Sequence, residues 1–397
     1  MKILIADALS ETAVSSLKEL GADVDFQPKL TAEELPAAIG DANVLVVRST
    51  KVTEATIESA KHLSLIVRAG AGVNTIDVKT ASERGIYVAN CPGKNSNAVA
   101  ELAMGLIVAC DRCIVNACVD LRSGLWKKKK YGQSNGLKDR TLGILGMGMI
   151  GRALADIARG FGMDILAWSR SLTPETADRL KVQYAATPLD VARNADVVSL
   201  HLAYNEETHH LVDAEFLAAM KDGGILVNTS RGELIDSQAL QTAIEEKNLR
   251  VGLDVFENEP SGGEAEFEQS ELAQLVTATP HIGASTHQAA EAIAMEVVRI
   301  VQAFRETGKP VNAVNLCART PATHSLVVRH YNRIGVLAGV LDLLRTEGVN
   351  VEEMENTIFD GAAAACCTLL LDSPPTAELI AQLESNPDIL QATIEAR

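Results

Sequence analysis

The stretch Thr141-Leu142-Gly143-Ile144-Leu145-Gly146-Met147-Gly148-Met149-Ile150-Gly151 decides the fold, because it joins a short apolar run to a glycine-rich turn. The turn fits the pattern G-x-G-x-x-G, and a helical pattern follows it over Arg152–Phe161. A bare match of this pattern is weak evidence, but a strand before it and a helix after it strengthen it considerably. The stretch therefore predicts the first strand–turn–helix unit of a doubly wound α/β domain.

The three glycines have separate tasks in a site of this kind. Gly146 permits the tight turn, Gly148 lets a pyrophosphate approach the backbone, and Gly151 allows the helix to pack closely on the strand. Met149 and Ile150 open the helix, whose first N–H groups are free to bind phosphate oxygens. We therefore predict that this turn binds a dinucleotide; the alternative is a glycine-rich connection without a ligand.

Short apolar strands alternate with helical segments on both sides of this turn. The strands expected before it are Ile3–Asp7, Val44–Arg48, Leu65–Ala69 and Tyr87–Asn90, with helices such as Ser10–Leu20 and Thr53–Ala60 between them. The six strands of the second unit are expected at Thr141–Leu145, Ile165–Trp168, Val197–Leu200, Gly224–Asn228, Val251–Leu253 and Leu275–Ala278. This alternation predicts an α/β protein with two doubly wound parallel sheets, each covered by helices on both faces.

Three further segments complete the expected architecture. A long helix is predicted over residues 96–124, another from Thr286 to Thr307, and a linker over residues 311–322. Residues 323–397 change rhythm, with strands and helices at Ser325–Arg329, Gly335–Thr346, Asn350–Asn356, Ala364–Leu371, Thr376–Glu384 and Ile389–Ile394. This βαββαβ order predicts a compact α+β module of ferredoxin-like type.

Composition and charge exclude several classes of protein. The 397 residues suffice for two or three domains, and the net charge of −16 argues against nucleic acid or an anionic membrane as partner. Asp7 interrupts the first apolar run too early for a secretion signal, and charged residues interrupt the long helix, so we expect a cytoplasmic protein without a membrane span. The seven cysteines, which include a C-x-x-C at Cys110 and Cys113, are expected to be reduced, packed thiols, and no metal site is predicted.

Three segments that follow strands of the second unit carry side chains suited to proton transfer. They are Val227–Gly232, Leu253–Pro260 and Thr279–Thr286. Because ligands of open α/β sheets bind at the carboxyl ends of the strands, these segments should meet in one crevice. His281 suits the base that takes an alcohol proton, Glu259 could orient its ring, and Arg231 offers a fork of donors for a substrate carboxylate. Together with the dinucleotide turn they predict hydride transfer to a nicotinamide, whose carboxamide Asp254 could hold.

The strand after the glycine-rich turn should end in an acidic residue that binds the ribose hydroxyls. Here it ends Ala167-Trp168-Ser169-Arg170, without Asp or Glu. Ser169 and Arg170 could instead accept the 2′-phosphate of NADP, or Arg170 could stack on adenine or point to solvent. NAD is therefore the expected cofactor, and NADP stays open as the alternative.

These motifs closely resemble those of the D-2-hydroxyacid dehydrogenase family over essentially residues 1–316. The resemblance implies an NAD(P)-dependent enzyme that acts on a CH–OH group, with Arg231, Glu259 and His281 as its catalytic residues and Asp254 at the nicotinamide. It also implies a discontinuous substrate domain, residues 1–95 plus 285–316, and a dinucleotide domain, residues 96–284. The chain departs from the commonest family pattern at Ser169, where the family often has Asp.

Two further arginines, Arg48 and Arg68, end predicted strands, and Ala71-Gly72 offers backbone N–H groups to a carboxylate. Two extra arginines suit a phosphate on a small anionic 2-hydroxy acid; pairing with nearby acidic residues is the alternative. The pattern is similar to that of the family's D-3-phosphoglycerate dehydrogenases, which start serine biosynthesis. Lys127–Lys130 reads as a solvated basic patch, although similar enzymes bring a basic residue from this region into a neighbouring subunit's site.

Residues 323–397 resemble an ACT domain, a sensor module common in amino-acid metabolism. His330–Leu337 resembles its first loop, and Asn332 and Asn350 match asparagines that bind L-serine in serine-regulated members. Ile334 replaces the usual proline, so serine regulation and a module for dimerisation alone are both open. A homodimer or homotetramer is expected.

Two other functions stay open at this point. Ser169-Arg170 favours a glyoxylate or hydroxypyruvate reductase, whereas the sensor module and the two cleft arginines count against it. The Arg231–Glu259–His281 set also permits a dinucleotide-sensing corepressor or adaptor, although it does not require one.

Overall fold

The structure, a computed structural model, describes residues 1–260, 265–317 and 319–397. The chain divides into two compact units, Met1–Asn315 and Leu316–Arg397. The first unit contains two parallel sheets, and the second contains one antiparallel sheet. The α/β prediction with parallel sheets is confirmed for the first unit.

The first sheet has five parallel strands. They are β1 (Lys2–Ile5), β2 (Asp23–Phe26), β3 (Val44–Val47), β4 (Leu65–Arg68) and β5 (Tyr87–Asn90), joined by helices α1 (Glu11–Glu19), α2 (Leu35–Ala38), α3 (Glu54–Ser59) and α4 (Val78–Glu83). The order across the sheet is β2-β1-β3-β4-β5. The sequence did not predict β2, because Asp23-Val24-Asp25-Phe26 alternates acidic and apolar residues along a partly exposed edge.

The single helix predicted over residues 96–124 is wrong. The chain forms α5 (Ser96–Arg112) and α6 (Ile114–Arg122), bent by 63° at Cys113, and then the short α7 (Lys128–Tyr131). Cys113 is left-handed with φ 50°, and its N–H caps the end of α5. Helix α5 is largely buried whereas α6 has no buried residue, a change of surroundings that a continuous helical pattern cannot reveal.

Within the described ranges, each helix taken singly is too short or too polar to span a membrane, and only the bent pair of α5 and α6 together has the length and composition of a span.

The second sheet has seven parallel strands, one more than predicted. They are β6 (Thr141–Leu145), β7 (Asp164–Trp168), β8 (Gln183–Tyr184), β9 (Val197–Leu200), β10 (Ile225–Asn228), β11 (Arg250–Leu253) and β12 (Thr277–Ala278). The connecting helices are α8 (Met149–Gly160), α9 (Pro174–Arg179), α10 (Pro188–Asn194), α11 (Ala214–Ala219), a 3₁₀ turn (Gly232–Leu234), α12 (Ser237–Lys247) and α13 (Ser270–Leu275). The order β12-β11-β10-β9-β6-β7-β8 reverses direction between β6 and β9, which opens a crevice at their carboxyl ends.

The chain then returns to the first sheet. Helix α14 (His287–Thr307) ends at Gly308, as predicted, and its Ile293 and Val297 join the apolar core that contains Ile3. Residues 312–315 pair with β5 through two backbone hydrogen bonds, from Asn90 N–H to Asn312 O and from Val314 N–H to Val88 O. The linker predicted over residues 311–322 is therefore wrong at its start, and its residue 318 lies outside the described residues.

The second unit has the predicted βαββαβ order. Its elements are β13 (His324–Tyr331), α15 (Val336–Thr346), β14 (Val351–Ile358), β15 (Ala364–Leu371), α16 (Ala377–Ser385) and β16 (Ile389–Ala396). The antiparallel strands lie in the order β14-β15-β13-β16 and pack Leu326, Val328 and Leu369 against the helices.

All seven cysteines belong to the described residues, and all are free thiols. Burial raises the pKa of Cys91 to about 12 and that of Cys110 to about 11, which keeps both protonated. Cys118 and Cys317 are exposed, so the prediction of packed thiols is wrong for these two.

Candidate active site

His281 and Glu259 form the central pair of the site. Glu259 follows β11 and His281 follows β12, two neighbouring parallel strands whose carboxyl ends meet at one edge of the sheet. Nδ1 of His281 lies 2.6 Å from Oε2 of Glu259, and Phe256 N–H donates to Oε1 of Glu259 at 2.8 Å. The fold thus brings together two residues that are 22 positions apart in the sequence.

Hydrogen bonding and burial shift the pKa values of both partners. The hydrogen bond to Glu259 raises the pKa of His281 above its ordinary value, and burial opposes this only in part. Burial raises the pKa of Glu259, but the hydrogen bonds from His281 and Phe256 N–H outweigh it and hold that pKa below its ordinary value. The pair therefore favours an imidazolium beside a carboxylate, the state that follows uptake of a proton by His281.

Asp254 anchors the loop that carries His281. It is 1% exposed, and its carboxylate accepts hydrogen bonds from the Thr279 hydroxyl, Ile282 N–H and Gly283 N–H at 2.6, 2.8 and 2.8 Å. His281 adopts φ 51°, a left-handed conformation that its surroundings must enforce. These contacts give Asp254 a task in holding the loop, and its predicted contact with a nicotinamide stays a prediction.

Arg231 lies on a turn that is fitted against the segment carrying Glu259. The buried Asn228 shapes the turn, because its Oδ1 accepts from Ser230 N–H at 2.9 Å and its Nδ2 donates to Arg231 O at 2.7 Å. A Cβ atom at Gly232 would lie 2.0 Å from the carbonyl carbon of Phe256. Only glycine permits this close approach, so the two segments are held side by side.

A cleft of about 380 Å³ joins loops from both sheets of the first unit. The first sheet contributes Arg68 and Gly72, and the second contributes Arg231, Glu259 and His281. The sequence analysis did not single out the other lining residues, which are Asn74, Thr75, Gly232, Glu233, Phe256 and Asn258. A signal exists for four of them, because Gly232, Phe256 and Asn258 lie inside the quoted motif segments and Glu233 follows one of them. No such signal marks Asn74 and Thr75.

The arginines near the cleft have no carboxylate partner in the part of the chain that the structure describes. Within the described ranges, none of Arg48, Arg68 and Arg231 forms a salt bridge, so the alternative of acidic pairing is not observed there. Burial lowers the pKa of Arg68, and the charges of Arg231 and Arg48 lower it further. Arg48 and Ala71 do not line the cleft, although Arg48 lies close enough to act on Arg68.

The glycine-rich turn leaves room for a ligand at one glycine. A Cβ atom on Gly146, which has φ 105°, would lie 2.3 Å from His201 O. A Cβ atom on Gly151 would lie 2.1 Å from Gly146 O. A Cβ atom at Gly148 would meet nothing within 4 Å. Gly146 and Gly151 are therefore needed for packing, whereas Gly148 leaves the exposed start of α8 open, as a bound pyrophosphate requires. Met149 and Ile150 form the first turn of that helix.

Ser169 and Arg170 follow β7, the strand beside β6. The Arg170 side chain is 82% exposed and lies 3.6 Å from the carboxylate of Glu207, a residue that the sequence analysis did not single out. Glu207 comes from the loop after β9, so only the fold brings the two side chains together.

The remaining predicted residues lie elsewhere on the surface. Lys127 and Lys130 both pair with Asp120, at 2.9 and 3.7 Å. In the second unit Asn332 and Asn350 are exposed, and their side-chain amides donate to Ala362 O at 3.1 Å and to a Glu352 carboxylate oxygen at 2.7 Å.

Comparison with known proteins identifies the family. The model of the NAD-binding domain of D-isomer-specific 2-hydroxyacid dehydrogenases matches residues 104–283. The chain is 45% identical over 282 residues to hydroxypyruvate reductase from Thermotoga maritima, across 70% of this chain and 89% of that one. The chain belongs to the D-2-hydroxyacid dehydrogenase family. Its predicted class, an NAD(P)-dependent D-2-hydroxyacid dehydrogenase acting on a CH–OH group, is confirmed by these matches, and the matching domain is an NAD-binding one.

Other relatives of the chain are named as phosphoglycerate dehydrogenases and not as hydroxypyruvate reductases. The chain is 40% identical over 320 residues to D-3-phosphoglycerate dehydrogenase from Methanocaldococcus jannaschii, across 80% of this chain and 60% of that one. The NAD⁺-bound 3-phosphoglycerate dehydrogenase structure from Entamoeba histolytica matches with a TM-score of 0.65 and 30% identity, across 80% of this chain and 99% of that one. Since the relatives carry the names of two enzymes, the family alone does not select the hydroxy acid.

Proposed function

We propose that this family member oxidises D-3-phosphoglycerate to 3-phosphohydroxypyruvate, the first step of serine biosynthesis. The observation that carries the proposal is a cleft lined by both Arg68 and Arg231. Burial, and then the charges of Arg231 and Arg48, lower the pKa of the half-buried Arg68. Guanidinium groups that repel one another are stabilised by a bound anion. Phosphoglycerate supplies two anionic groups, a carboxylate and a phosphate.

The cleft suggests a task for each residue. NAD, when bound, accepts the hydride from the alcohol carbon. Arg231 and the backbone at Ala71-Gly72 bind the carboxylate, and Arg68 binds the phosphate with Arg48 beside it. Because Nδ1 of His281 is engaged by Glu259 at 2.6 Å, Nε2 is the atom that takes the hydroxyl proton. Glu259 then stabilises the imidazolium.

The two sheets of the first unit are proposed to have separate tasks. We assign residues 1–95 and 285–316 to substrate binding and residues 96–284 to dinucleotide binding. The core shared by α14 and the first sheet supports this discontinuous arrangement. The open side of Gly148 and the exposed start of α8 support the pyrophosphate site. NAD is the proposed cofactor, with its nicotinamide beside Asp254 and its ribose beside Ser169.

The second unit is proposed to be an ACT domain, residues 323–397, that binds L-serine through Asn332 and Asn350. Its βαββαβ order supports the domain type. Titration of L-serine into the assay tests the regulatory part, and an unchanged rate removes it. A homodimer or homotetramer is proposed as well, supported by the exposed Val119 and Leu121 on α6, and sedimentation measures it.

An assay of the purified enzyme tests the substrate. D-3-phosphoglycerate is supplied with NAD at alkaline pH, and the reductions of hydroxypyruvate and glyoxylate are followed with NADH and NADPH. We expect phosphoglycerate turnover that falls at least about ten-fold in Arg68→Ala, since a charge-assisted contact is lost. Arg84→Ala, which removes an exposed arginine of the same unit, should change nothing.

The second candidate is a glyoxylate or hydroxypyruvate reductase. The exposed Arg170 after β7 favours it, because an arginine there can accept the 2′-phosphate of NADP. No phosphoglycerate turnover, together with rapid NADPH-dependent reduction of glyoxylate, would select this candidate.

A further inference from the structure

We infer that Glu257 is a positioning residue that holds the turn carrying Glu259 against the segment carrying Arg231. The inference rests on the proposed function, because it assigns Glu257 to the same active site. Glu257 does not line the cleft, so it has no direct contact with the proposed substrate. It would act only through its neighbours.

The side chain of Glu257 joins two other segments of the first unit. Its Oε1 lies 2.7 Å from Nε2 of His210, in the loop after β9, and its Oε2 accepts from the Ser237 hydroxyl at 2.6 Å, at the start of α12. Its backbone carbonyl accepts a hydrogen bond from the Gln269 side chain just before α13. With its side chain 21% exposed, Glu257 is thus tied to three segments besides its own.

The turn from Phe256 to Glu259 needs such an anchor. Asn258 is left-handed with φ 54°, and the turn is closed by the hydrogen bond from Phe256 N–H to Glu259 at 2.8 Å. Residues with side chains adopt this conformation rarely, and it persists when the surrounding contacts enforce it. Glu257 lies inside this turn and supplies three of those contacts.

The same residue also connects to the Arg231 segment. A Cβ atom at Gly232 would lie 2.3 Å from Glu257 N, so the two backbones are in direct contact. The ring of His210 contacts the Glu257 carboxylate, and the backbone N–H of His210 donates to Glu233 O at 2.9 Å. A closed set of contacts therefore links the segment of Glu259 to the segment of Arg231.

The groups that surround the Glu257 carboxylate differ from those that surround the His281 ring. His210 and Ser237 face the Glu257 carboxylate, whereas Glu259, Asp254 and Arg231 face His281. Burial raises the pKa of Glu257, but the hydrogen bonds of Ser237 and His210 outweigh it, so the carboxylate stays ionised at neutral and alkaline pH. Loss of the anchor would thus act on His281 through the position of Glu259.

Two variants and a control measure this effect. Glu257→Ala removes both side-chain bonds, and Glu257→Gln keeps the shape and can still accept a hydrogen bond from Ser237. Glu271→Ala removes an exposed carboxylate of α13 and is the matched control. For each protein kcat, KM and the pH profile of hydroxy-acid oxidation are measured, and thermal unfolding verifies the fold.

We expect Glu257→Ala to lower kcat by about ten-fold to 100-fold, because small displacements of reacting groups are costly. The oxidation rate rises with pH as His281 loses its proton, and in Glu257→Ala this rise should occur at lower pH. The reason is that a displaced Glu259 raises the pKa of His281 less than it does in wild type. Glu257→Gln and Glu271→Ala should stay close to wild type. A folded Glu257→Ala enzyme with an unchanged pH profile overturns the inference, whatever its kcat. If that variant does not fold, Ser237→Ala is judged by the same criterion.

The assay also separates this inference from the proposed function. A wild-type enzyme that oxidises another hydroxy acid but not phosphoglycerate contradicts the proposed substrate, and the comparison of the variants is then made with the acid that it does oxidise. A wild-type enzyme that oxidises phosphoglycerate while Glu257→Ala keeps its pH profile contradicts the inference alone.

Discussion

Arg68 and Arg231 come from different sheets yet line the same cleft, where burial and the charge of Arg231 lower the pKa of Arg68. Arg68 also has a buried Nε atom without a hydrogen-bond partner in the described residues. A buried donor without a partner and a neighbouring like charge both destabilise the protein without ligand. The proposed binding of an anion would relieve both.

Arg68→Met is expected to stabilise the protein without ligand while it weakens the binding of phosphoglycerate. Removal of one unpaired charge should raise Tm by about 2–4 °C, which corresponds to roughly 1 kcal/mol. Addition of phosphoglycerate should raise Tm further in wild type but not in the variant. Thermal unfolding with and without the ligand measures both effects, and Arg84→Met is the control. A lower Tm of the variant without ligand would contradict the idea of a strained arginine.

Gly148→Ala and Gly151→Ala are expected to fail in different ways. At Gly151 the new Cβ atom would lie 2.1 Å from Gly146 O, so we expect a loss of stability of about 1–3 kcal/mol. At Gly148 there is room for the methyl group, so the fold should persist while NADH binding weakens. Urea unfolding and NADH fluorescence titration separate the two outcomes. Unchanged NADH binding in Gly148→Ala would place the pyrophosphate elsewhere.

Glu259→Gln is expected to shift the pH dependence of both reaction directions to lower pH. Oxidation needs neutral His281 and rises with pH through the pKa of this residue, whereas reduction needs the protonated form and falls through the same pKa. The hydrogen bond to Glu259 raises that pKa, so loss of the carboxylate lowers it. Initial rates across the pH range measure the shift, with the exposed Glu268→Gln as control. Coincident profiles of Glu259→Gln and wild type would exclude the assigned pairing.

Glu296→Gln is expected to destabilise the first unit, most clearly near neutral pH. The Glu296 side chain is 5% exposed and interacts with Lys94, Arg299 and Asn312, and these contacts, led by Arg299, lower its pKa to about 2. A depressed pKa stabilises the fold above the ordinary value of 4.5, and this stability is lost as pH falls towards 2. We expect a loss of about 2 kcal/mol at pH 7 and a smaller loss near pH 3.

Urea unfolding at the two pH values measures this difference. Glu306→Gln, on the same helix, is the control, because its carboxylate is exposed and accepts one hydrogen bond, from Gln302 at 2.9 Å. An equal loss for Glu296→Gln at both pH values would mean that its charge is unimportant.

Glu207→Gln and Arg170→Ala are expected to change cofactor preference in opposite directions. Glu207 competes with a 2′-phosphate for Arg170, so its neutralisation should lower KM for NADP, by no more than about five-fold because the pair is exposed. Arg170→Ala should raise KM for NADP. The ratio of KM values for NADP and NAD is the measurement, and Arg193→Ala, in an exposed pair, is the control. No change in either variant would show that Arg170 points to solvent.

Much of the fold could be predicted, because most of its strands coincide with apolar runs in the sequence. Val197–Leu200 and Tyr87–Asn90 lie where the runs predict them. Strands β2 and β8 were not predicted, because both lie at sheet edges and bury few side chains. Strand β8, Gln183–Tyr184, is also too short to show a pattern. The end of α5 at Cys113 was not predicted either, because the left-handed residue that caps this helix is neither Gly nor Asn.

The candidate site divides in a similar way. The motifs named Arg231, Glu259 and His281, because each follows a strand in a recognisable sequence. They could not name Asn74 and Thr75 as lining residues, nor Glu257 as an anchor, because those properties depend on neighbours distant in the chain. The role of Arg48 in substrate binding stays a prediction: it is not among the residues that line the cleft, although its charge acts on Arg68.

By itself the sequence determined the type of each unit, the glycine-rich turn and the set of groups capable of proton transfer, because those features depend on residues near one another in the chain. Tertiary structure alone decided which charges meet. It placed Glu259 against His281, left Arg68 without a carboxylate among the described residues, and set Glu207 beside Arg170. Electrostatic energy falls with distance and rises with burial, and both are properties of the folded chain.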